Sequence, residues 1–311
     1  MEHSQSLSSH SSKSSDTFEL EQGENVSDYQ IVRKINSSRY VTYLVHSPTQ
    51  EKSYLMKLFR CSNDKPSLLF LKEARLANLS HPNLLQIRKI KHNEERTTDS
   101  HRMSFSYVLL DVPVHGEFFS LLSRHNFPKD EVLIRTYFHQ LIEGLKYLHE
   151  NGVAHMDLKL ENLVLDENYN LRIANLNCSI VGDDLIVVSN GSDNYRAPEV
   201  KKGLLKYPMQ ADIYAAGIIL YILAYQHFPY ILEGSRETMD SFWDSLCSVK
   251  TKQEQGLAEL IKAMVRYDPE DRISLEAIQG SSWYQNKIYT PKELKSVMEN
   301  YFQTVVRKER K

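Results

Sequence analysis

The stretch HENGVAHMDLKLENLVLDENYNLRIANLN, residues 149–177, decides how the rest of the chain is read. Asn151-Gly152 marks a helix end, since glycine readily takes the left-handed backbone of a helix stop. A loop carrying Asp157, Lys159 and Asn162 follows. Leu163-Val164-Leu165 and Leu171-Arg172-Ile173-Ala174 then read as two short strands, with the run 166–170, polar except for Tyr169, as the turn between them.

The chain has 311 residues, 41% hydrophobic and 25% charged, enough for one large two-lobed domain or two ordinary ones. A net charge of -2 gives no reason to expect nucleic acid or an acidic membrane surface as partner. Cys61, Cys178 and Cys247 are odd in number and far apart, which suits reduced thiols in a cytoplasmic protein better than a disulfide framework or a zinc site. The longest apolar run, 213–225, falls short of the roughly 20 residues that cross a bilayer and reads as a buried helix. No transmembrane segment and no signal peptide is expected.

Residues 149–177 resemble the eukaryotic protein kinases of the Ser/Thr type. Their catalytic loop usually reads H-R-D-L-K-P-E-N ahead of D-F-G, and here the places hold His155-Met156-Asp157-Leu158-Lys159-Leu160-Glu161-Asn162 and Asn175-Leu176-Asn177. Downstream, Ala197-Pro198-Glu199 resembles the close of the activation segment. Ala211-Asp212-Ile213-Tyr214-Ala215-Ala216-Gly217 resembles the start of the buried central helix, and Arg272 resembles the partner of Glu199. Five motifs in order, spread over residues 29–284, make a chance match untenable. The resemblance implies an α+β fold of two lobes, a small β-rich lobe with one main helix over 29–112 and a large, mainly helical lobe over 113–286. Such a fold should pair Glu199 with Arg272 and have Asp212 brace the catalytic loop.

The same resemblance assigns site residues. Lys57, in Tyr54-Leu55-Met56-Lys57, matches the strand lysine that holds the α and β phosphates of ATP, and Glu73 its salt-bridge partner. Leu55 stands where alanine usually forms the ceiling over adenine. Leu110 falls at the gatekeeper, Asp111 and Pro113 in the hinge, and Glu117 at the ribose-contacting carboxylate. Asp157 keeps the place of the catalytic base, Lys159 steadies the γ phosphate, and Asn162 is one of two magnesium ligands. The second ligand is aspartate in the family and Asn175 here. Magnesium prefers anionic oxygen, so the amide leaves metal binding weak or absent. At an effective dielectric of about 20, a charge pair at 4 Å is worth about 4 kcal/mol, and each 1.4 kcal/mol is about tenfold in rate. No glycine occurs between Gly23 and Gly116, so the loop 36–39 lacks the chemistry of a phosphate flap. Asp183 and Asp184 read as a solvated turn rather than a replacement carboxylate. Asn177 is expected to tolerate left-handed dihedrals, and Met156 replaces the arginine that pairs with an activation-loop phosphate.

These losses point to a pseudokinase acting as a scaffold or allosteric regulator towards protein partners, with weak or absent ATP and magnesium binding. The alternative is an active Ser/Thr kinase with atypical metal use, since Lys57, Glu73, Asp157, Lys159 and Asn162 are all present.

Around the core, residues 1–25 hold eight serines in the first sixteen positions and read as a disordered tail. A helix is expected over 67–79 and a polar insertion over 92–104. In the large lobe, Ile134, Phe138, Leu141, Ile142, Leu145 and Leu148 form one apolar stripe. Thr290-Pro291-Lys292-Glu293 is a capping box with proline at the first helical place, opening a C-terminal amphipathic helix over 290–311, read as docked on the large lobe in preference to a partner-binding or membrane-surface helix.

Overall fold

Two hydrophobic patterns build two lobes. The computed structural model describes residues 20–37, 40–97, 102–124, 127–182, 194–204, 206–230, 234–248 and 252–309. Near the start, alternating apolar residues give the strands β1 (Asn25–Val26), β2 (Tyr29–Ser37), β3 (Val41–Ser47) and β4 (Lys52–Arg60). Helix α1 (Leu68–Ala74) follows, then β5 (Ile87–Thr97) and β6 (Arg102–Leu110). The six strands form one antiparallel sheet in the order β1-β2-β3-β4-β6-β5. Its core face buries Tyr29, Ile31, Val45, Met56, Tyr107 and Leu109.

Three sequence expectations are corrected here. The tail does not run to Asn25, because Leu20 is buried, its N–H donates to the Tyr43 hydroxyl at 3.0 Å, and Glu24 pairs with Arg96 at 2.7 Å. Residues 1–19 lie outside the described residues. Of the stretch 92–104, the described residues 92–97 and 102–104 are paired strand rather than loose insertion, Glu94 facing Phe105 and Arg96 facing Met103, with a register shift between Lys91 and Glu94 where Asn93 takes a positive φ. Helix α1 stops at Ala74, and Leu76 reaches the large-lobe core from the turn beyond it.

The large lobe begins with β7 (Gly116–Glu117), α2 (Phe118–Arg124) and α3 (Glu131–Glu150). Asp130 caps α3 by accepting from Val132 N–H at 2.9 Å and Leu133 N–H at 3.2 Å. The apolar stripe from Ile134 to Leu148 is buried as expected. After α3 come β8 (Val153–Ala154), β9 (Leu163–Leu165), β10 (Leu171–Ile173) and β11 (Ile180–Val181). The short helix α4 (Pro198–Lys201) precedes α5 (Pro208–Tyr225), α6 (Arg236–Cys247), α7 (Lys252–Met264) and α8 (Leu275–Gly280). By length and hydropathy α5 would pass for a membrane span, yet 72% of it is buried inside the domain, where it forms the centre of the core. The C-terminal helix α9 (Pro291–Glu309) docks on the large lobe as expected, burying Leu294 and Met298, with Thr290 and Glu293 forming the capping box.

The lobes are joined at the back by the segment 81–86. Leu85 N–H donates to the Ile173 carbonyl and Ile173 N–H to the Asn83 carbonyl, both at 2.8 Å. Helix α3 passes so close to this segment that a Cβ on Gly144 would stand 2.9 Å from the Asn83 carbonyl oxygen and 2.9 Å from Ile173 Cδ1. Gly144→Ala is therefore expected to destabilise the domain by about 1–3 kcal/mol, the usual cost of overpacking. Urea denaturation checks this: an unchanged midpoint would mean that the linker yields without cost.

Candidate active site

Strand β4 carries Lys57 on its cleft side, and α1, capped by Ser67, turns Glu73 towards it. Lys57 Nζ lies 2.6 Å from Glu73 Oε1, with both side chains buried. Burial alone would depress the ammonium; the Glu73 carboxylate outweighs it and holds the lysine above its ordinary value. Further bonds fix α1 in this position. Lys72 donates to the Ser179 carbonyl at 3.1 Å and Arg75 to the Val181 carbonyl at 3.4 Å, and the turn Leu176–Cys178 packs against the same helix. Leu176, in that turn, is buried.

The loop after β8 is held from below by Asp212. This buried carboxylate accepts the N–H groups of His155 at 2.7 Å and Met156 at 2.8 Å, and it faces His149 Nε2 at 3.0 Å. Its grip accounts for Met156 holding a left-handed backbone, φ +63, which an unassisted methionine avoids. Asn162 Nδ2 donates to the Asp157 carbonyl at 2.6 Å and to its carboxylate at 2.9 Å, while Lys159 Nζ stands 3.3 Å from the other carboxylate oxygen. Asp157, Lys159 and Asn162 thus converge in one loop.

Asn175 closes the network. Its Oδ1 lies 3.3 Å from Lys57 Nζ and accepts the Tyr40 hydroxyl at 3.0 Å; its Nδ2 donates to Asn162 Oδ1 at 3.2 Å. An ammonium can only donate, so the amide oxygen must face Lys57 and the amide nitrogen must face Asn162. The left-handed residue of this segment is Asn175, φ +70, and not Asn177. Asn177 is buried in the turn Leu176–Cys178 instead, since the backbone reverses directly after β10 rather than two residues later. This donor set does not suit magnesium. Two neutral amides stand where a hard cation needs anionic oxygen, and the oxygen of each already accepts a hydrogen bond. Among the described residues no group of three His, Cys, Asp or Glu side chains could hold a metal. Asp183 and Asp184 lie outside the described residues, as do Ser38 and Arg39 of the flap position.

The residues expected around the base are more scattered. Leu55 faces Leu110 across β4 and β6, and both join Val164 and Ala174 in an apolar cluster between the lobes. Asp111 is tied to the small lobe by Arg88 at 2.5 Å and Lys52 at 3.1 Å, which outweigh burial and hold its carboxyl below its ordinary value. Its N–H is committed to the Gln86 carbonyl at 3.2 Å, and Pro113 has no N–H to offer a base edge. Asp111 and Pro113 line a cavity of about 540 Å³ together with Arg88, Asp166 and Arg172. Glu117 stays exposed on β7, its carboxyl raised by partial desolvation first and then by Glu161.

Two residues of the site were missed from sequence. His149 gives no signal beyond its place at a helix end. Tyr40 does give one, an aromatic ring closing the polar loop 36–39.

The scaffold pair that the resemblance implies for the large lobe is also in place. Arg272 makes a two-pronged pair with Glu199, each arm 2.6 Å, with both residues buried. Residues 29–284 match the protein kinase domain family. The chain is similar to CBL-interacting protein kinase 26 of Oryza sativa subsp. japonica, 32% identical over 67% of this chain and 41% of the relative. It is also similar to the carbon catabolite-derepressing protein kinase of Saccharomyces cerevisiae, 27% identical over 86% of this chain and 41% of the relative. Sucrose non-fermenting protein kinase 1 of Fusarium virguliforme is 28% identical over 91% of this chain and 40% of the relative. The chain thus spans about two fifths of the length of these curated relatives. With the bilobal fold, the Glu199 to Arg272 pair and a family match across most of its length, the chain belongs to the eukaryotic protein kinase superfamily.

Proposed function

We propose that this chain is a Ser/Thr protein kinase domain that transfers the γ phosphate of ATP to protein hydroxyls slowly. The carrying observation is the assembled state of the cleft, with Lys57 against Glu73 at 2.6 Å and Asp157 held by Asn162 beside Lys159. In that arrangement Asp157 takes the proton of the attacking hydroxyl and Lys159 steadies the phosphate in flight, while Lys57 holds the phosphates that stay behind. Relatives named as protein kinases support this reading over the loss of activity expected from the sequence. No step is assigned to magnesium, because Asn162 and Asn175 do not form a suitable site for it. Three cysteines free of disulfides and the kinase family itself support an intracellular setting with protein substrates.

A second reading is a pseudokinase that works as a scaffold, favoured by Asn175 in place of a metal carboxylate and Pro113 in the hinge. Transfer of labelled phosphate from ATP to a mixed protein substrate separates the two. The enzyme reading expects measurable transfer that falls at least 100-fold in Asp157→Ala, as removal of a general base commonly does. Transfer equal in the wild type and in Asp157→Ala, at the level of the blank, sinks it in favour of the scaffold.

A further inference from the structure

The small lobe supplies its own occupant for the phosphate pocket. Tyr40 enters the cleft from the start of β3, half-buried, and its hydroxyl donates to Asn175 Oδ1 at 3.0 Å. Its ring lies 5.1 Å from Lys57 Nζ in cation–π geometry and stacks at a tilt on Phe59, centroids 5.0 Å apart. The ring also packs in the cluster between the lobes that contains Leu55, Leu110, Val164 and Ala174. The Lys57 ammonium, expected to face phosphate oxygens, and the residue-175 side chain, expected at the metal position, are therefore both engaged by one tyrosine.

We infer that Tyr40 is an intramolecular plug, held in place by Asn175, that competes with the phosphates of ATP for Lys57, so that nucleotide enters only when this side chain leaves. Its chemistry fits the neutral site. Burial keeps the hydroxyl above its ordinary value despite the lowering effect of Lys57, so it stays protonated and donates to the amide oxygen. An aspartate at position 175 would draw a cation into the same place, whereas an amide is satisfied by a phenol. The ring does for Lys57 what an anion would do, by presenting the negative face of its π system. A ligand that binds only the open form has its apparent affinity reduced by the open fraction. This inference rests on reading the cleft as a phosphate site.

The test is calorimetric titration of ATP, with magnesium and with EDTA, into full-length wild type, Tyr40→Ala, Tyr40→Phe, Lys57→Met and Tyr40→Ala with Lys57→Met. Tyr40→Ala should bind ATP at least tenfold more tightly, a change of 1.4 kcal/mol or more. Tyr40→Phe, which keeps the ring and loses the hydroxyl, should gain less, and it remains informative if the alanine variant folds poorly. Lys57→Met should abolish the gain. A gain that survives Lys57→Met would show Tyr40 blocking some other site and overturn the inference. No gain in either Tyr40 variant, with wild-type binding lost in Lys57→Met, would overturn the plug and leave the phosphate site standing. No binding in any variant would overturn both the plug and the nucleotide reading beneath it.

Discussion

Arg272→Ala is expected to cost about 3–5 kcal/mol of stability, the largest loss from any single substitution considered for this protein. Arg272 is buried, and its guanidinium bonds Glu199 with both arms while donating to the carbonyls of Arg266 at 2.8 Å, Gln210 at 3.0 Å and Tyr267 at 3.3 Å. Truncation leaves a buried carboxylate without its cation and three carbonyls without this donor. Glu199→Ala leaves the same carbonyls bonded and should cost less. The double substitution should be milder than the sum of the two, because the stranded carboxylate is gone as well. For a domain of this size each kcal/mol moves the melting temperature by about 2–4 °C, so the single change should be plain in a thermal melt. A loss below 1 kcal/mol would mean that the end of the activation segment is anchored by something other than this pair.

Asn175→Asp in a Tyr40→Ala background is expected to make nucleotide binding strongly magnesium-dependent. The substitution conserves size, but it turns the Nδ2 donor into an oxygen facing Asn162 Oδ1 across 3.2 Å. Two facing oxygens repel unless a cation sits between them, which is what a magnesium ion would do. With the tyrosine still present the new carboxylate would only accept its hydroxyl and the Lys57 ammonium, so Asn175→Asp alone should change little. Leu55→Ala is the natural third change, because Leu55 stands where the family resemblance places the ceiling over adenine. The measurement is a thermal shift with ATP at about 100 times its dissociation constant, where binding adds about 2.7 kcal/mol. Equal shifts with magnesium and with EDTA in the double variant would show that the carboxylate is not what the metal site lacks.

The cleft was legible in part. Lys57, Glu73, Asp157, Lys159 and Asn162 lie far apart in the chain and meet in space, and their spacing within recognisable motifs was enough to name them. The conformation of the cleft was not legible. Protein kinase sequences are compatible with the Lys57 to Glu73 pair open or closed, and here it is closed by bonds from Lys72 and Arg75 to backbone carbonyls. A lysine bonded to a carbonyl leaves no pattern in sequence. Likewise, the stretch 92–104 reads as polar insertion because exposed strands have little to bury, and its described residues 92–97 and 102–104 are strand only because the two segments pair with each other.

By itself the sequence determined the fold and the chemical inventory. Motif order, through the resemblance to protein kinases, implies two lobes, and Asn175, Pro113 and the missing flap glycines are facts of composition that no conformation can repair. Only the tertiary structure decided what occupies the cleft. Tyr40 and Asn175 stand 135 positions apart, and nothing local to either predicts a hydrogen bond between them. That contact exists because the sheet carries the start of β3 over Lys57, where the Asn175 amide oxygen can accept the phenol.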